Sequence, residues 1–329
     1  MAWVETDSLS FTARHDDADT GAAQRTLDKL EELRLRLEER FQEAPGDVTI
    51  VIHDNPAWLS AAHPLLPAVR WAAAPAGRRY LAGWPMANEI HVLNDEWMER
   101  RAGGEDSLRA LKGTAERMYC QLVLAANNTR LPPMWTPRRF LTYLRWAWLV
   151  EGGAQYFTGQ TSLYRAAVIT RLREGERPAF PPSRADAIIL GGTIFDLLDK
   201  HSGPGACQML VSRLRREGPV GNLELAFEAP AREIEKAWRR HLDEILYRVE
   251  SDEPSLGEAM REAGLTPPEG EPRLRRRTPQ DAETFGDLDI GTLPEFGFEP
   301  GGSEGSAGGL VEDPDEPTRR QQRRPDPGR

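Results

Sequence analysis

Apolar residues recur along the first three quarters of the chain at two distinct spacings. Near the start, Leu9, Phe11 and Ala13 alternate with polar neighbours, the period of a half-buried strand. Leu27, Leu30, Leu33, Leu37 and Phe41 then follow at intervals of three and four, which predicts an amphipathic helix. Residues 47–53 form a β-branched run and predict a buried strand. Two shorter strands are predicted at 79–84 and 89–93, separated by Pro85 and Asn88. All of these are expected to pair in one small twisted sheet.

From Ser107 the spacing becomes helical and stays so. Ser107 reads as an N-cap, with Leu108, Leu111, Ala115, Met118 and Leu122 on one apolar stripe. Thr136-Pro137 marks a second start, for a helix running through Phe140, Leu144 and Ala147 to Glu151. Further helices are predicted near 163–173, 185–200, 206–216 and 231–249, with Gly or Pro between them. Beyond about Glu250, Pro, Gly and charged residues dominate. Such a segment buries too little apolar surface to offset its ordering entropy, so disorder is predicted there. One stretch in it, from Phe285 to Phe298, mixes acidic and large apolar side chains, as a short docking motif or a linker remnant would.

Composition adds limits. The net charge of −10 is concentrated late: 18 acidic and 10 basic residues follow position 250, leaving the body near neutral. A basic nucleic-acid surface on the folded part is not expected. No apolar run approaches the roughly 18 residues of a membrane span. The start, Met-Ala-Trp-Val-Glu-Thr-Asp, has neither a basic nor an apolar leader segment as written. With only Cys120 and Cys207, a disulfide framework is not the design, and a cytoplasmic location is expected. No phosphate-binding Gly-rich loop or Gly-x-Ser-x-Gly elbow is present.

Two stretches carry candidate chemistry: Leu111-Lys-Gly-Thr-Ala-Glu-Arg-Met-Tyr-Cys120, and Trp148-Leu-Val-Glu-Gly-Gly-Ala-Gln-Tyr156. The second resembles the segment around the third zinc ligand of gluzincin metallopeptidases, W-L-x-E-G-x-A-x-Y. Weaker but collinear similarities lie at 47–53, at 88–94, at 189–203 and around Ala226 and Trp238, so the resemblance spans about residues 1–250. In that family an HExxH helix supplies two imidazoles from one face, at i and i+4, and a general-base Glu between them.

The resemblance implies an α+β, zincin-like fold: a small N-terminal sheet with a long helix (1–105), a mostly helical part (106–250), and a disordered acidic tail (251–329). It also implies that HExxH is replaced by Ala115-Glu116-Arg117-Met118-Tyr119, with Ala115 and Tyr119 at the former ligand positions. Glu116 then becomes a vestigial base, and Glu151 the surviving third ligand. The Tyr that such peptidases place near residues 188–190 is also missing, where Ile188, Ile189 and Leu190 stand.

The expected activity is therefore a non-catalytic, peptidase-like scaffold with no zinc. It would bind a peptide or protein through a cleft containing Trp84, His91, Arg117, Cys120 and Tyr156, or through the 285–298 segment. A metallohydrolase using Glu116, Cys120 and Glu151 as unusual ligands is one alternative. A tail-mediated interaction protein with no cleft ligand is the other. A buried Glu151 requires partners, for which Tyr119 and Arg117 are the candidates.

Overall fold

The computed structural model describes residues 3–62, 66, 69, 73–128, 130–131, 137–174 and 176–252. The predicted tail, the 285–298 segment and Thr136 lie outside the described residues. Strand β1 (Trp3–Asp7) and β2 (Phe11–Asp16) form an antiparallel hairpin. Leu9, expected to point inward along a strand, sits instead in the connecting turn and is 97% exposed. Glu31 fastens that turn to the next helix, its Oε1 accepting from Ser8 Oγ (2.7 Å) and from the Ser10 amide (2.6 Å).

Helix α1 (Thr20–Glu38) lays Ala23, Leu27, Leu30, Leu33 and Leu37 against the core, as their spacing predicts. Strand β3 (Val48–His53) follows and pairs in parallel with β2. After α2 (Pro56–Ala62) and α3 (Pro75–Arg78) come β4 (Gly83–Pro85) and β5 (Glu89–Leu93). The order across the sheet is β1-β2-β3-β5-β4, parallel through its centre and antiparallel at both margins. Strand β5 is thus internal to the sheet. The three-residue β4 takes the edge, because β5 is sandwiched between it and β3.

The remainder is helical: α4 (Asp95–Arg101), α5 (Glu105–Lys112), α6 (Thr114–Ala126), α7 (Pro137–Phe157), α8 (Arg165–Arg173), α9 (Ala187–Ser202), α10 (Pro204–Ser212), α11 (Pro219–Phe227) and α12 (Ala231–Asp252). Ser107 does not cap α5. Gly104 takes that place, and Ser107 Oγ accepts from the Gly103 amide (3.1 Å) inside the first turn. The single stripe read from Leu108 to Leu122 is divided between α5 and α6 at Gly113. No helix among the described residues is long and apolar enough to cross a membrane.

Helix α6 packs against α1, β4, β5 and α7, so it is enclosed on nearly every side. Helices α7 and α9 cross in close contact at Gly152 and Gly191. A Cβ on Gly191 would lie 2.5 Å from the Trp148 carbonyl oxygen, and one on Gly152 would fall on the Gly191 backbone. The small residues after Glu151 therefore let two helices approach backbone to backbone.

Candidate functional site around Glu151

Glu151 stands in the middle of α7 and is only 3% exposed. Its Oε1 accepts two hydrogen bonds, from Gln121 Nε2 (3.1 Å) and from the Tyr143 hydroxyl (2.9 Å). Burial raises the Glu151 pKa, while Arg117 and these two donors pull it down. Tyr143 lies two helical turns before Glu151 on the same helix, and its own pKa is raised by burial and by the neighbouring carboxylate.

Arg117 is 2% exposed and is held at both ends of its fork: Nη1 donates to the Tyr164 hydroxyl, and Nη2 to the Tyr80 carbonyl (3.0 Å). The Tyr80 and Tyr164 rings are tilted against each other with centroids 4.5 Å apart, and the guanidinium carbon lies 5.7 Å from the Tyr164 ring centre. Arg117 Nε and Gln121 Oε1 are buried with no hydrogen-bond partner among the described residues.

The two residues of α6 that act on Glu151 are thus Arg117 and Gln121, spaced i and i+4. Ala115 and Tyr119 are not. Tyr119 turns the other way, where its hydroxyl donates to the Pro45 carbonyl (2.8 Å) and its ring meets Phe11 edge-on at 5.0 Å. Ala115 shares that side of the helix, about one turn before Tyr119. Of the two partners anticipated for Glu151, Arg117 is one and Tyr119 is not. The residues that act on Glu151 lie two positions along α6 from Ala115 and Tyr119, about 200° of helix rotation away.

Glu116 does not face Glu151 either. It borders a separate cleft of about 330 Å³, together with Lys29, Arg36, Arg109, Lys112, Gly113 and Gln160. Burial raises its pKa, a bond from its own backbone amide and the charges of Lys29, Arg117 and Arg36 lower it, and Oε2 is withdrawn from solvent without a partner among the described residues.

The other anticipated cleft residues disperse. Trp84 is core, 1% exposed, with its ring edge-on to Tyr143. Cys120 is fully buried, and desolvation pushes its thiol far above the usual range, which makes it a poor ligand. Tyr156 is half-buried at the far end of α7, stacked on Phe195. Glu116, Cys120 and Glu151 do not converge, and no group of three or more His, Cys, Asp or Glu among the described residues is placed to hold a metal ion.

His91 lies in the sheet, paired with His53 across β3 and β5: His53 Nε2 and His91 Nδ1 are 2.9 Å apart. His91 Nε2 lies 3.4 Å from Glu89 Oε2, so its proton belongs on Nε2 and its Nδ1 accepts from His53. Burial, then the neighbouring His91, lowers the His53 pKa from its ordinary 6.5 to about 4. The unfolded chain therefore binds more protons between those values, and stability rises with pH across that window. Urea unfolding at pH 5 should therefore give a lower stability than at pH 7.5. A His53→Gln variant should lose most of that difference; an unchanged pH slope would contradict the assignment.

Gln121, Tyr143 and Tyr164 are the network residues that the sequence reading missed. Their only signal is spacing, Arg117 with Gln121 at four residues and Tyr143 with Glu151 at eight. No family model, curated protein or solved structure matches this chain.

Proposed function

We propose that the chain is a catalytically inactive relative of the gluzincin peptidases, a zincin-like scaffold that binds a peptide or protein partner instead of hydrolysing one. The observation that carries this reading is the identity of the i, i+4 pair facing Glu151. In a peptidase of that design both positions are imidazoles that share a cation with the Glu. Here they are Arg117 and Gln121, and the residue after the first, where the general base would stand, is Met118. A guanidinium offers no lone pair and repels a metal ion, and the Gln121 amide spends its donor on Glu151. These residues do not fit zinc, so no step is routed through one. The mixed sheet with its short antiparallel edge strand beside α6, and the close α7–α9 crossing after Glu151, support the same reading.

The test is to rebuild the motif in the register proposed here. The triple variant Arg117→His, Met118→Glu, Gln121→His should bind about one zinc per chain by elemental analysis, while Ala115→His with Tyr119→His should bind none. The wild-type protein, purified without chelator, should carry no stoichiometric zinc and cleave no peptide. Zinc in the wild type would favour the metallohydrolase reading. Zinc bound by the second variant and not by the first would remove the register on which the proposal stands.

A further inference from the structure

The cleft beside Glu116 is a different feature, and its chemistry does not depend on the reading of Glu151. Its walls come from parts of the chain far apart in sequence: Lys29 and Arg36 from α1, Arg109 and Lys112 from α5, Glu116 from α6, and Gln160 from the turn after α7. Four cations and one carboxyl line a space of about 330 Å³, within the range of about 300–1,000 Å³ that holds small ligands.

The charges are not internally balanced. Lys112 is occupied by Glu99 (2.9 Å) and Asp95 (3.7 Å), and Arg109 reaches Asp106 only at 3.5 Å. Lys29 and Arg36 stand seven residues apart on one face of α1 and have no ion pair among the described residues. The cleft thus holds more cations than carboxyls, and its surplus of positive charge is concentrated at Lys29 and Arg36.

Its polar floor is also unfinished. Gln160 Nε2 donates to the Gly113 carbonyl (2.8 Å), which fixes the amide orientation and leaves Oε1 buried without a partner among the described residues. Glu116 Oε2 is in the same state. Buried polar atoms of this kind cost free energy unless something fills their hydrogen bonds. The Gln160 oxygen can only accept, whereas a Glu116 carboxyl accepts when ionised and can also donate when protonated.

We propose that this cleft binds a small phosphomonoester of a polyol, with the phosphate held by Lys29, Arg36 and Arg109 and a hydroxyl of the organic part meeting Gln160 and Glu116. Arg forks and a Lys point charge suit the three acceptor oxygens of a phosphate, and an acceptor fixed by Gly113 suits a hydroxyl.

The experiment is calorimetric titration of the full chain at constant ionic strength with glycerol 3-phosphate, inorganic phosphate and succinate. Saturable one-to-one binding of glycerol 3-phosphate is expected, with inorganic phosphate weaker and succinate weaker still. Lys29→Gln and Arg36→Gln should each weaken glycerol 3-phosphate by about tenfold or more. Both side chains are exposed on α1, so the thermal midpoint of each variant should match the wild type and confirm that the fold is intact. Glu116→Gln, which keeps a donor at that position, should retain binding. The proposal is overturned by the absence of saturable glycerol 3-phosphate binding, by binding that neither charge substitution changes, or by succinate binding as tightly.

Discussion

Gly152→Ala should destabilise the protein by about 3 kcal/mol or more, lowering the thermal midpoint by roughly 6 °C or more. The added methyl would meet the Gly191 backbone, which belongs to a helix and cannot swing aside as a side chain can. The only relief is to separate α7 from α9, and that opens the packing around Phe195, Leu190 and Ile194 in the centre of the helical half. Gly205→Ala is the matched control. Its Cβ would meet nothing within 4 Å, and it is exposed in the first turn of α10. There the better helix propensity of Ala should leave stability unchanged or slightly raised. Differential scanning calorimetry of the two variants distinguishes a steric crossing from a general intolerance of Ala at glycines: equal effects would contradict the crossing.

Arg117→Met should cost about 3 kcal/mol, because two buried groups, the Tyr164 hydroxyl and the Tyr80 carbonyl, lose their donor. The methionine fills most of the volume, but the Tyr164 hydroxyl and Tyr80 carbonyl lose their donor and Glu151 loses its nearest compensating cation. The pH dependence identifies the cause. With Arg117 gone, only the Tyr143 and Gln121 hydrogen bonds oppose burial at Glu151, and its folded-state pKa rises further above the unfolded value. The folded state then binds the extra proton, so stability falls as pH rises. The penalty measured by urea unfolding should therefore be larger at pH 8 than at pH 5. It should also shrink when Glu151→Gln is combined with it. Additive single and double substitutions would mean that the two groups do not interact.

Much of this arrangement was legible in the sequence, and the part that was not has a physical reason. The Glu151 segment announced itself because Gly152 and Gly153 follow a carboxylate in an otherwise apolar helix. Burial of Glu151 and close helix packing follow from that alone. Helix α1 and strands β3 and β5 were readable from their spacing, since each presents one face or an unbroken apolar run to the core. Helix α6 was not readable in the same way. From Thr114 to Leu124 every residue except Glu116 is buried, so no polar face marks its rotation. A helix enclosed by α1, the sheet and α7 carries no periodic signal for which side meets which neighbour, so the residues that act on Glu151, Arg117 and Gln121, were not legible in its apolar pattern. Strand β4 is too short for alternation to mark it as the edge. The Lys29–Glu116–Gln160 cleft joins residues more than a hundred positions apart, and nothing local in the sequence couples them.

The charge of Arg117 acting on Glu151 also sets what the fold depends on in its surroundings. When a buried carboxylate is neutralised by a bound ion, stability becomes a function of that ion's concentration and of every competitor for it. Here the compensating charge is a covalent part of the chain, and a guanidinium stays charged across the accessible pH range. It arrives with translation and cannot be stripped by a chelator or exchanged for another ion.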